Sequence, residues 1–530
     1  MTATLIAKET LNAGSLADRH AGTAIGSKPA YLASDGSLSY DQLREEADRA
    51  AGLLAELGLG REERLLLVLD DTTVFPVMFL GAMRAGVVPV PVSPLDKNEN
   101  FRHFVEDSYA RTVVTDANVL SRVQEALAGI DVRFLVKGVE ESGVIELGAA
   151  LAAQPAEFDV VTTHRDDVAF WLYSSGSTGK PKGVVHLHHD IEVTCRSYGD
   201  QIVGIREDDL TFSTTKLFHA YGLGNGFSFP LWAGATVALM SGPTKPEPII
   251  ATLRERRPTV FSSVPALYAA LLREPEDVVA EALSSVRICV SAAEALPANT
   301  VETWRSRFGL EILDGIGSTE MLHIFCSNRP GEIRPGTTGV PVPGYDLRLI
   351  DSDGMVVDGA GTGSLEVRGD SCAAYYWHQH EKSKLCMRGE WYATGDMYER
   401  GPDGVYSYVG RGDDMFKVGG LWVSSTDLEA VLGEHPTVIA AGVVGARIDG
   451  DSRIVAYVEV AEPVDEERLS GELRELCKGR MRRYEYPHLV RIIDPLPRTL
   501  SGKLQRYKLR EMIKAEGLAT SLEGPDRRPS

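Results

Sequence analysis

The chain has 530 residues, of which 43% are hydrophobic and 25% charged, and its formal net charge is −20. That length exceeds one hydrophobic core, so two or more domains are expected, with the composition of a soluble globular protein. The acidic balance argues against a nucleic-acid scaffold and requires any anionic substrate to meet a local basic patch. In chain order, residues 39–59 place Tyr40, Leu43, Ala47, Ala50, Leu53, Leu54 and Leu57 at helical spacing, an amphipathic helix. Arg64 to Leu69 reads as a buried strand, Thr73 to Ala85 as a helix and Val87 to Val92 as a short strand. The window Val74 to Val92 is the most apolar of the chain, but it carries Arg84 and three prolines, which suits a buried helix–turn–strand and not a membrane span.

Helix–strand alternation recurs around 99–116 and 117–136, and again at 189–202, 211–215, 246–256 and 259–263. This is the rhythm of α/β layers with mostly parallel sheets. From about residue 335 glycines and prolines multiply, and short strands at Asp346 to Asp351 and Gly363 to Arg368 predict a smaller β-rich subdomain. A compositional break at Gly410-Arg411-Gly412-Asp413-Asp414 precedes a compact α+β pattern. Its helices fall at 425–434 and 465–482, its strands at 438–445, 453–460 and 488–493, and its last dozen residues read as a frayed tail. The fold class expected is therefore α/β, a large N-terminal domain of layered sheets with a β-rich subdomain, followed by a small α+β domain. The N-terminus, MTATLIAKETLNAG, lacks the apolar core of a signal peptide. Six cysteines (Cys195, Cys289, Cys326, Cys372, Cys386, Cys477) form no CxxC pair, which favours reduced thiols in a reducing, cytoplasmic compartment. His186, His188 and His189 lack further ligands at zinc-site spacing and read as loop or strand histidines.

The most informative stretch is Tyr173-Ser174-Ser175-Gly176-Ser177-Thr178-Gly179-Lys180-Pro181-Lys182-Gly183. It follows the strand-like run Val168 to Leu172 and precedes another, Gly183 to Leu187. Glycines let a backbone approach a ligand, consecutive N–H groups form an anion nest, and hydroxyls and lysines add donors, a composition suited to polyphosphate. It is not a P-loop: five residues after Gly176 stands Pro181, and five after Gly179 stands Val184. A Ser/Gly-rich surface loop is the competing reading of the stretch taken alone. Further segments carry similar chemistry. Asp314-Gly315-Ile316-Gly317-Ser318-Thr319-Glu320 follows a strand-like run, with glycines for close approach of a flat ring and a carboxylate able to hold Mg²⁺ beside phosphate. Tyr392-Ala393-Thr394-Gly395-Asp396 places an acid in a tight turn suited to a ribose diol. Pro497 to Lys503 presents a lysine on a glycine-bearing loop.

Together and in this order, YSSGSTGKPKG, DGIGSTE, YATGD, GRGDDMFKVGG and PRTLSGK resemble the adenylate-forming superfamily of acyl- and aryl-CoA synthetases, peptide-synthetase adenylation domains and luciferases. The resemblance spans about residues 20–515, and FWLYSSGSTGKPKGVVH, KLFHAYGLGNGFSFPL and DGIGSTEMLHIFCSN are most similar to benzoate–CoA ligases. It implies an N-terminal AMP-binding domain over 1–411 and a mobile C-terminal domain over 412–530, hinged near Asp413. It also implies a two-step reaction, in which a carboxylate attacks the α-phosphorus of Mg·ATP to give an acyl-adenylate and pyrophosphate. A thiol, that of coenzyme A, then displaces AMP. Adenylation supplies the leaving group a bare carboxylate lacks, and the transfer needs in-line positioning and charge neutralisation.

Residue by residue, the resemblance assigns Ser174, Ser175, Ser177, Thr178 and Lys182, with Gly176 and Gly179, to the ATP phosphates. Thr319 falls to the α-phosphate, Glu320 to Mg²⁺, and Asp396 and Arg411 to the ribose. Ala293, Glu294, Asp314, Gly315, Ile316, Gly317 and Ser318 line the nucleotide slot, and Lys503 bridges the carboxylate and the α-phosphate. Lys417, Gly419 and Gly420 lie toward CoA, and the basic run Lys478, Arg480, Arg482, Arg483 reads either as a contact to the CoA phosphates or, more readily, as a solvated helix face. The acyl pocket is expected from His219, Ala220, Tyr221, Gly315, Ile316, His323 and Ile324, small residues with one aromatic wall that suit a flat ring. His219 stands where benzoate ligases often carry Phe, and reads either as a gating or packing residue or as a polar contact to a ring hydroxyl or amino group. The expected partners are thus a small aromatic acid, ATP and CoA, with no nucleic acid or membrane, in a monomer or homodimer. The alternative acceptor is a carrier protein, loaded by a stand-alone aryl-acid adenylation enzyme.

Overall fold

The computed structural model describes residues 9–174, 180–412, 415–418, 421–448, 451–498, 504–515 and 520–521. The chain divides into two compact units, one of residues 1–347 and 367–392, the other of residues 348–366 and 393–530.

In the first unit, the helix Tyr40–Glu56 starts on a capping box, with Ser39 and Gln42 exchanging side-chain-to-backbone hydrogen bonds at 2.9 and 3.2 Å. Its apolar face, including Leu43, Ala47, Ala50 and Leu54, is buried. Gly81 on the helix Val74–Arg84 lets the two helices touch, because a Cβ there would lie 2.5 Å from that of Ala50. The same helices share a buried ion pair between Arg84 and Asp48 at 2.6 Å. An all-parallel sheet runs in the order Val88–Val92, Arg64–Val68, Thr112–Thr115, Arg133–Val136, Val144–Glu146. Its strands Arg64–Val68 and Thr112–Thr115 are short apolar runs buried almost throughout, as strands covered on both faces require.

A larger, mixed sheet runs Val340–Pro341, Ile324–Ser327, Ile312–Gly317, Ile288–Ser291, Val260–Ser263, Leu210–Ser213, Thr236–Ala238, Pro29–Ala33, Gly36–Ser39. Its centre, from Ile312–Gly317 to Pro29–Ala33, is parallel, and its edges are antiparallel. A third sheet joins Val168–Ser174 to Lys182–Leu187 and then to Tyr375–Tyr376, all antiparallel. The N-terminal segment ties these layers together. Asn12 Nδ2 donates to the carbonyls of Met83 and Val161 at 2.8 and 2.9 Å, and the Ala13 amide donates to His188 Nδ1 at 3.0 Å.

The second unit contains the hairpin of the strand Trp391–Arg400, from residue 393 on, with Tyr406–Arg411, in which Asp396 stands opposite Arg411. Its C-terminal part is a sheet ordered Leu489–Ile492, Asp451–Val460, Val438–Ile448, Thr520–Ser521, with the helices Ser425–Leu432, Glu466–Cys477 and Arg506–Ala515. Two apolar clusters fill it, one around Val423, Leu428, Leu469 and Leu473, the other around Tyr457, Leu496, Leu509 and Ile513.

The expected alternation of elements holds along the chain, with three local differences. The helix expected over 465–482 stops at Cys477, and Gly479 follows with φ +81°, a left-handed residue that ends a helix at little cost. Lys478, Arg480 and Arg482 therefore occupy the exposed segment after that helix and not a helix face; Lys478 and Arg480 pair with Glu475 and Glu434. The helical stretch 189–202 is α over His188–Thr194 and π over Cys195–Val203. The DGIG segment is itself strand and not a loop following one.

Candidate active site

In parallel sheets, ligands gather beyond the carboxyl ends of the strands. Several of the expected site residues of the first unit lie there, whereas Ser174 and Lys182 belong to an antiparallel hairpin. Leu210–Ser213 leads into the segment carrying His219, Ala220 and Tyr221; Ile288–Ser291 leads to Ala293 and Glu294; Ile312–Gly317 carries Asp314 to Gly317 and runs on to Ser318, Thr319 and Glu320.

The best-defined constellation centres on Glu320. Lys182 Nζ lies 2.8 Å from Glu320 Oε1, and the Tyr376 hydroxyl donates to the same oxygen at 2.8 Å. Lys182 also sits 3.8 Å from the centroid of the Tyr376 ring. Both charged side chains are nearly enclosed, at 10% and 7% exposure. Burial favours the neutral acid, but the Lys182 charge and the two hydrogen bonds outweigh it and hold Glu320 below the ordinary carboxylate value. An ionised carboxylate thus persists in a nearly dry place. Thr319 is held from behind, its carbonyl accepting from His186 Nε2 at 2.8 Å. Ser318 Oγ accepts from the Met321 amide at 3.2 Å.

The phosphate-loop candidates Ser175, Gly176, Ser177, Thr178 and Gly179 lie outside the described residues, but both ends of that loop are fixed by the helix Asn98–Ser108. On one side the Tyr173 hydroxyl donates to Asp107 Oδ2 at 2.7 Å, and on the other His103 Nε2 meets the Pro181 carbonyl at 3.0 Å. Ser174 Oγ is buried with no hydrogen-bond partner among the described residues, an available group at the loop's edge.

Toward the expected nucleotide slot, Asp314 stands in register with Ser291 on the neighbouring strand. Asp314 Oδ1 and Ser291 Oγ are both buried with no partner at close hydrogen-bond geometry among the described residues, and burial pushes the Asp314 carboxyl well above its ordinary range, with Ser291 and the Gly315 amide opposing the rise. Ala293 and Glu294 are exposed, and Ala293 takes φ +79°, a left-handed conformation that costs a non-glycine residue about 1–2 kcal/mol. Gly315 and Gly317 have a nearer reason to be glycine than a ligand. A Cβ at Gly315 would lie 2.7 Å from the Cys326 carbonyl, and one at Gly317 would lie 2.5 Å from that of His323, both belonging to the adjoining chain. Ile316 is half-buried beside them.

The expected acyl pocket is partly brought together. Its loop is pinned at the base: Lys216 Nζ meets Asp70 Oδ1 at 2.8 Å, and Asp71 Oδ1 accepts from the Leu217 amide at 3.0 Å. Tyr221 and His323 stack with centroids 5.5 Å apart, and Tyr198 and Phe229 close the other sides of the imidazole at 5.1 and 4.5 Å. Full burial lowers His323 to a pKa of about 3, so the ring is neutral. Asn225 Nδ2 lies 3.3 Å from Nε2, while Nδ1 has no partner among the described residues. The Tyr221 hydroxyl is committed elsewhere, to the carbonyls of Ser263 and Val290 at 3.2 and 3.0 Å. Ala220 and Ile324 are buried, whereas His219 is exposed and packs edge-on against Phe218 at 4.7 Å. Leu322, with φ +62°, is the second left-handed residue near the site.

In the second unit, Arg411 Nη1 lies 2.9 Å from Asp396 Oδ1. Asp396 is not in a tight turn. It lies within the strand Trp391–Arg400, where Gly395 at φ +77° precedes it and its amide bonds Thr394 Oγ1 at 3.0 Å. Asp413, Gly419, Gly420 and Lys503, together with the side chain of Lys417, lie outside the described residues.

Sequence reasoning missed Tyr376, Asp107, Asp71 and the His186–Asp190 pair. Tyr376 left one trace, the aromatic run Tyr375-Tyr376-Trp377. The three rings of the histidine cluster serve hydrogen bonds within the fold, and no group of three or more metal-binding side chains occurs among the described residues. No described helix is long and apolar enough to cross a membrane.

Residues 18–377 match the AMP-binding enzyme family and residues 427–503 the AMP-binding enzyme C-terminal domain. The chain is 42% identical over 500 residues, 93% of each protein, to the 4-hydroxybenzoate–CoA/benzoate–CoA ligase of Rhodopseudomonas palustris. It is 42% identical over 490 residues to the benzoate–CoA ligase of Thauera aromatica, covering 92% of this chain and 93% of that one. Among solved structures, the anthranilate CoA ligase AuaEII in complex with anthranoyl-AMP superimposes with a TM-score of 0.85 at 34% identity, over 96% of this chain and 99% of that one. A benzoate CoA ligase from Burkholderia xenovorans LB400 does so with a TM-score of 0.81 at 42% identity, over 94% and 99%. Strand-end site, buried Lys182–Glu320 pair and these likenesses converge: the chain belongs to the AMP-binding, adenylate-forming enzyme family.

Proposed function

We propose that the chain is an AMP-forming aryl-acid–CoA ligase, converting a benzoate-class acid, ATP and CoA to the aryl-CoA thioester, AMP and pyrophosphate. The observation that carries the CoA-ligase reading is likeness along nearly the whole length to relatives that are themselves named CoA ligases, which does not favour a carrier protein as acceptor. What supports an aromatic acid is the Tyr221–His323 wall beside the small residues Ala220 and Gly315.

In this reading Ser174, Lys182 and the loop 175–179 take the polyphosphate, Thr319 takes the α-phosphate, and Asp396 with Arg411 takes the ribose. Lys503 bridges the two reacting groups during adenylation. Ala293, Glu294, Asp314, Ile316, Gly317 and Ser318 form the nucleotide slot. His219, Ala220, Tyr221, Gly315, Ile316, His323 and Ile324 hold the acid, and Lys417, Gly419 and Gly420 border the pantetheine path. The domain boundary falls at residues 411–412, with rotation about Asp413 between the half-reactions.

Mg²⁺ is implied by the family, and the donor set fits it. Glu320 offers one ionised hard oxygen, and Mg²⁺ commonly takes one or two carboxylates and completes its shell with water and phosphate oxygens. Bound with ATP, it would neutralise charge on the phosphates. The chain's own contribution is to keep Glu320 ionised through Lys182 and Tyr376, and to keep water out around them.

The test is an acid panel with ATP, Mg²⁺ and CoA and mass detection of the thioester, comparing benzoate with hydroxy- and aminobenzoates. Aryl-CoA formation is the expected result, and absence of pyrophosphate release with every aryl acid refutes the reading. His219→Phe tests the ring-substituent contact: a polar readout predicts loss concentrated on the substituted acids, and equal loss on all acids excludes it.

A further inference from the structure

The strand Lys182–Leu187 carries two residues that reach the Thr319–Glu320 segment. Lys182 touches Glu320, and His186, four residues on and therefore on the same face of the strand, touches the carbonyl of Thr319. His186 is fully buried and stacks on Phe170 with centroids 5.2 Å apart. Its Nδ1 lies 2.7 Å from Asp190 Oδ2, which also accepts from the Leu187 amide at 3.1 Å. The other carboxylate oxygen, Asp190 Oδ1, lies 3.2 Å from His189 Nε2, whose own hydrogen bond runs to the Asp370 carbonyl at 3.0 Å.

Proton counting fixes what this arrangement is. A carbonyl oxygen only accepts, so His186 Nε2 must carry a hydrogen. At 2.7 Å the Nδ1–carboxylate contact also contains a hydrogen, on the ring or on the acid. His186 is thus a committed donor to Thr319, braced through Asp190 by the first turn of the helix His188–Thr194.

We propose that His186, oriented by Asp190, is a positioning residue for adenylation. By holding the Thr319 carbonyl it sets where the Thr319 hydroxyl and the Glu320 carboxylate stand relative to the phosphates. The inference rests on the aryl-CoA ligase reading above. Neither His186 nor Asp190 touches substrate; each acts through the backbone of residue 319. Glu320 handles charge only while the polyphosphate is present, so displacement of this segment slows adenylate formation more than thioester formation.

The experiment compares His186→Gln with His186→Met, side chains of similar length of which only glutamine donates. Acid-dependent pyrophosphate exchange reads the first half-reaction, and aryl-CoA formation from supplied aryl-adenylate reads the second. The methionine variant is expected to lose about tenfold to a hundredfold in the first, the scale of a misplaced reacting group, while the second changes little and the glutamine variant recovers most of the exchange activity. Equal loss in the two variants, loss by one factor in both half-reactions, or no loss at all would overturn the proposal. If the methionine variant does not fold, His186→Phe, which keeps the stack on Phe170 and removes both donors, takes its place. An intact enzyme releasing no pyrophosphate with any aryl acid would refute the ligase reading and this inference with it, whereas an active enzyme with indifferent variants refutes this inference alone.

Discussion

Replacing Lys182 by methionine keeps an aliphatic stem near the Tyr376 ring and removes the charge facing Glu320. At the observed 2.8 Å, the attraction between unit charges is about 6 kcal/mol for an effective dielectric of about 20, before desolvation is subtracted. Breaking one side of a nearly buried pair costs about 3–5 kcal/mol, because the survivor is left uncompensated. Tyr376 still donates to Glu320, and hydrogen bonds to charged groups return part of that, which places the expected loss near about 3 kcal/mol. The dependence on pH also reverses. In the intact protein Glu320 lies below its unfolded value of 4.5, so its contribution is complete above that value and fades as pH falls through the folded pKa. In Lys182→Met burial is opposed only by weaker hydrogen bonds, the carboxyl rises, and ionisation subtracts stability as pH climbs. The assay is urea unfolding of both proteins between about pH 5 and about pH 8, followed through tryptophan fluorescence. The reasoning fails if the gap between the two proteins stays below about 1 kcal/mol or does not widen with pH.

Two other substitutions test the site from different sides. Tyr221→Phe removes a hydroxyl that serves the carbonyls of Ser263 and Val290; stability should fall by about 1 kcal/mol while KM for unsubstituted benzoate stays near that of the intact enzyme, and a large KM change would show that the hydroxyl reads the acid. Asp71→Asn addresses a carboxyl that burial raises to about 7, with Lys216 and the Leu217 amide opposing the rise and Asp70 and Asp116 adding to it. A folded pKa above the unfolded one means that ionisation costs stability progressively up to about pH 7, so the variant should gain on the intact protein from pH 5 to 8 in thermal melts; a constant difference across that range would refute the assignment.

Local signals reached the elements more easily than the contacts. The capping box at Ser39, the apolar strands of the parallel sheet and the glycine after Glu466–Cys477 all act within a few residues; the strands were read, whereas the capping box and the glycine were overlooked. The segments carrying His219, Ala293 and Asp314 stand at or just beyond the carboxyl ends of parallel strands, where loops converge. The wiring among them was not legible. Lys182 and Glu320 are separated by 138 positions, and Glu320 and Tyr376 by 56. Nothing in either neighbourhood says that the lysine meets a carboxylate, or that a tyrosine shares it. The glycines of DGIG carry a constraint the sequence did not show: the adjoining backbone leaves no room for a side chain at either position.

The docking of Asn12 and Ala13 sets a timetable for the nascent chain. Residue 13 leaves the ribosome long before His188, 175 positions later, and at ordinary synthesis rates that is a delay of about 9–35 s. During it Asn12 can already meet Met83 and Val161, but the Ala13 amide has no His188 ring to bond. Chains cut between Val161 and His188 should therefore dock this segment only in part and show it more protease-sensitive than the whole chain does. Fusions joined close to residue 12 should be tolerated only through a linker long enough to leave that docking free.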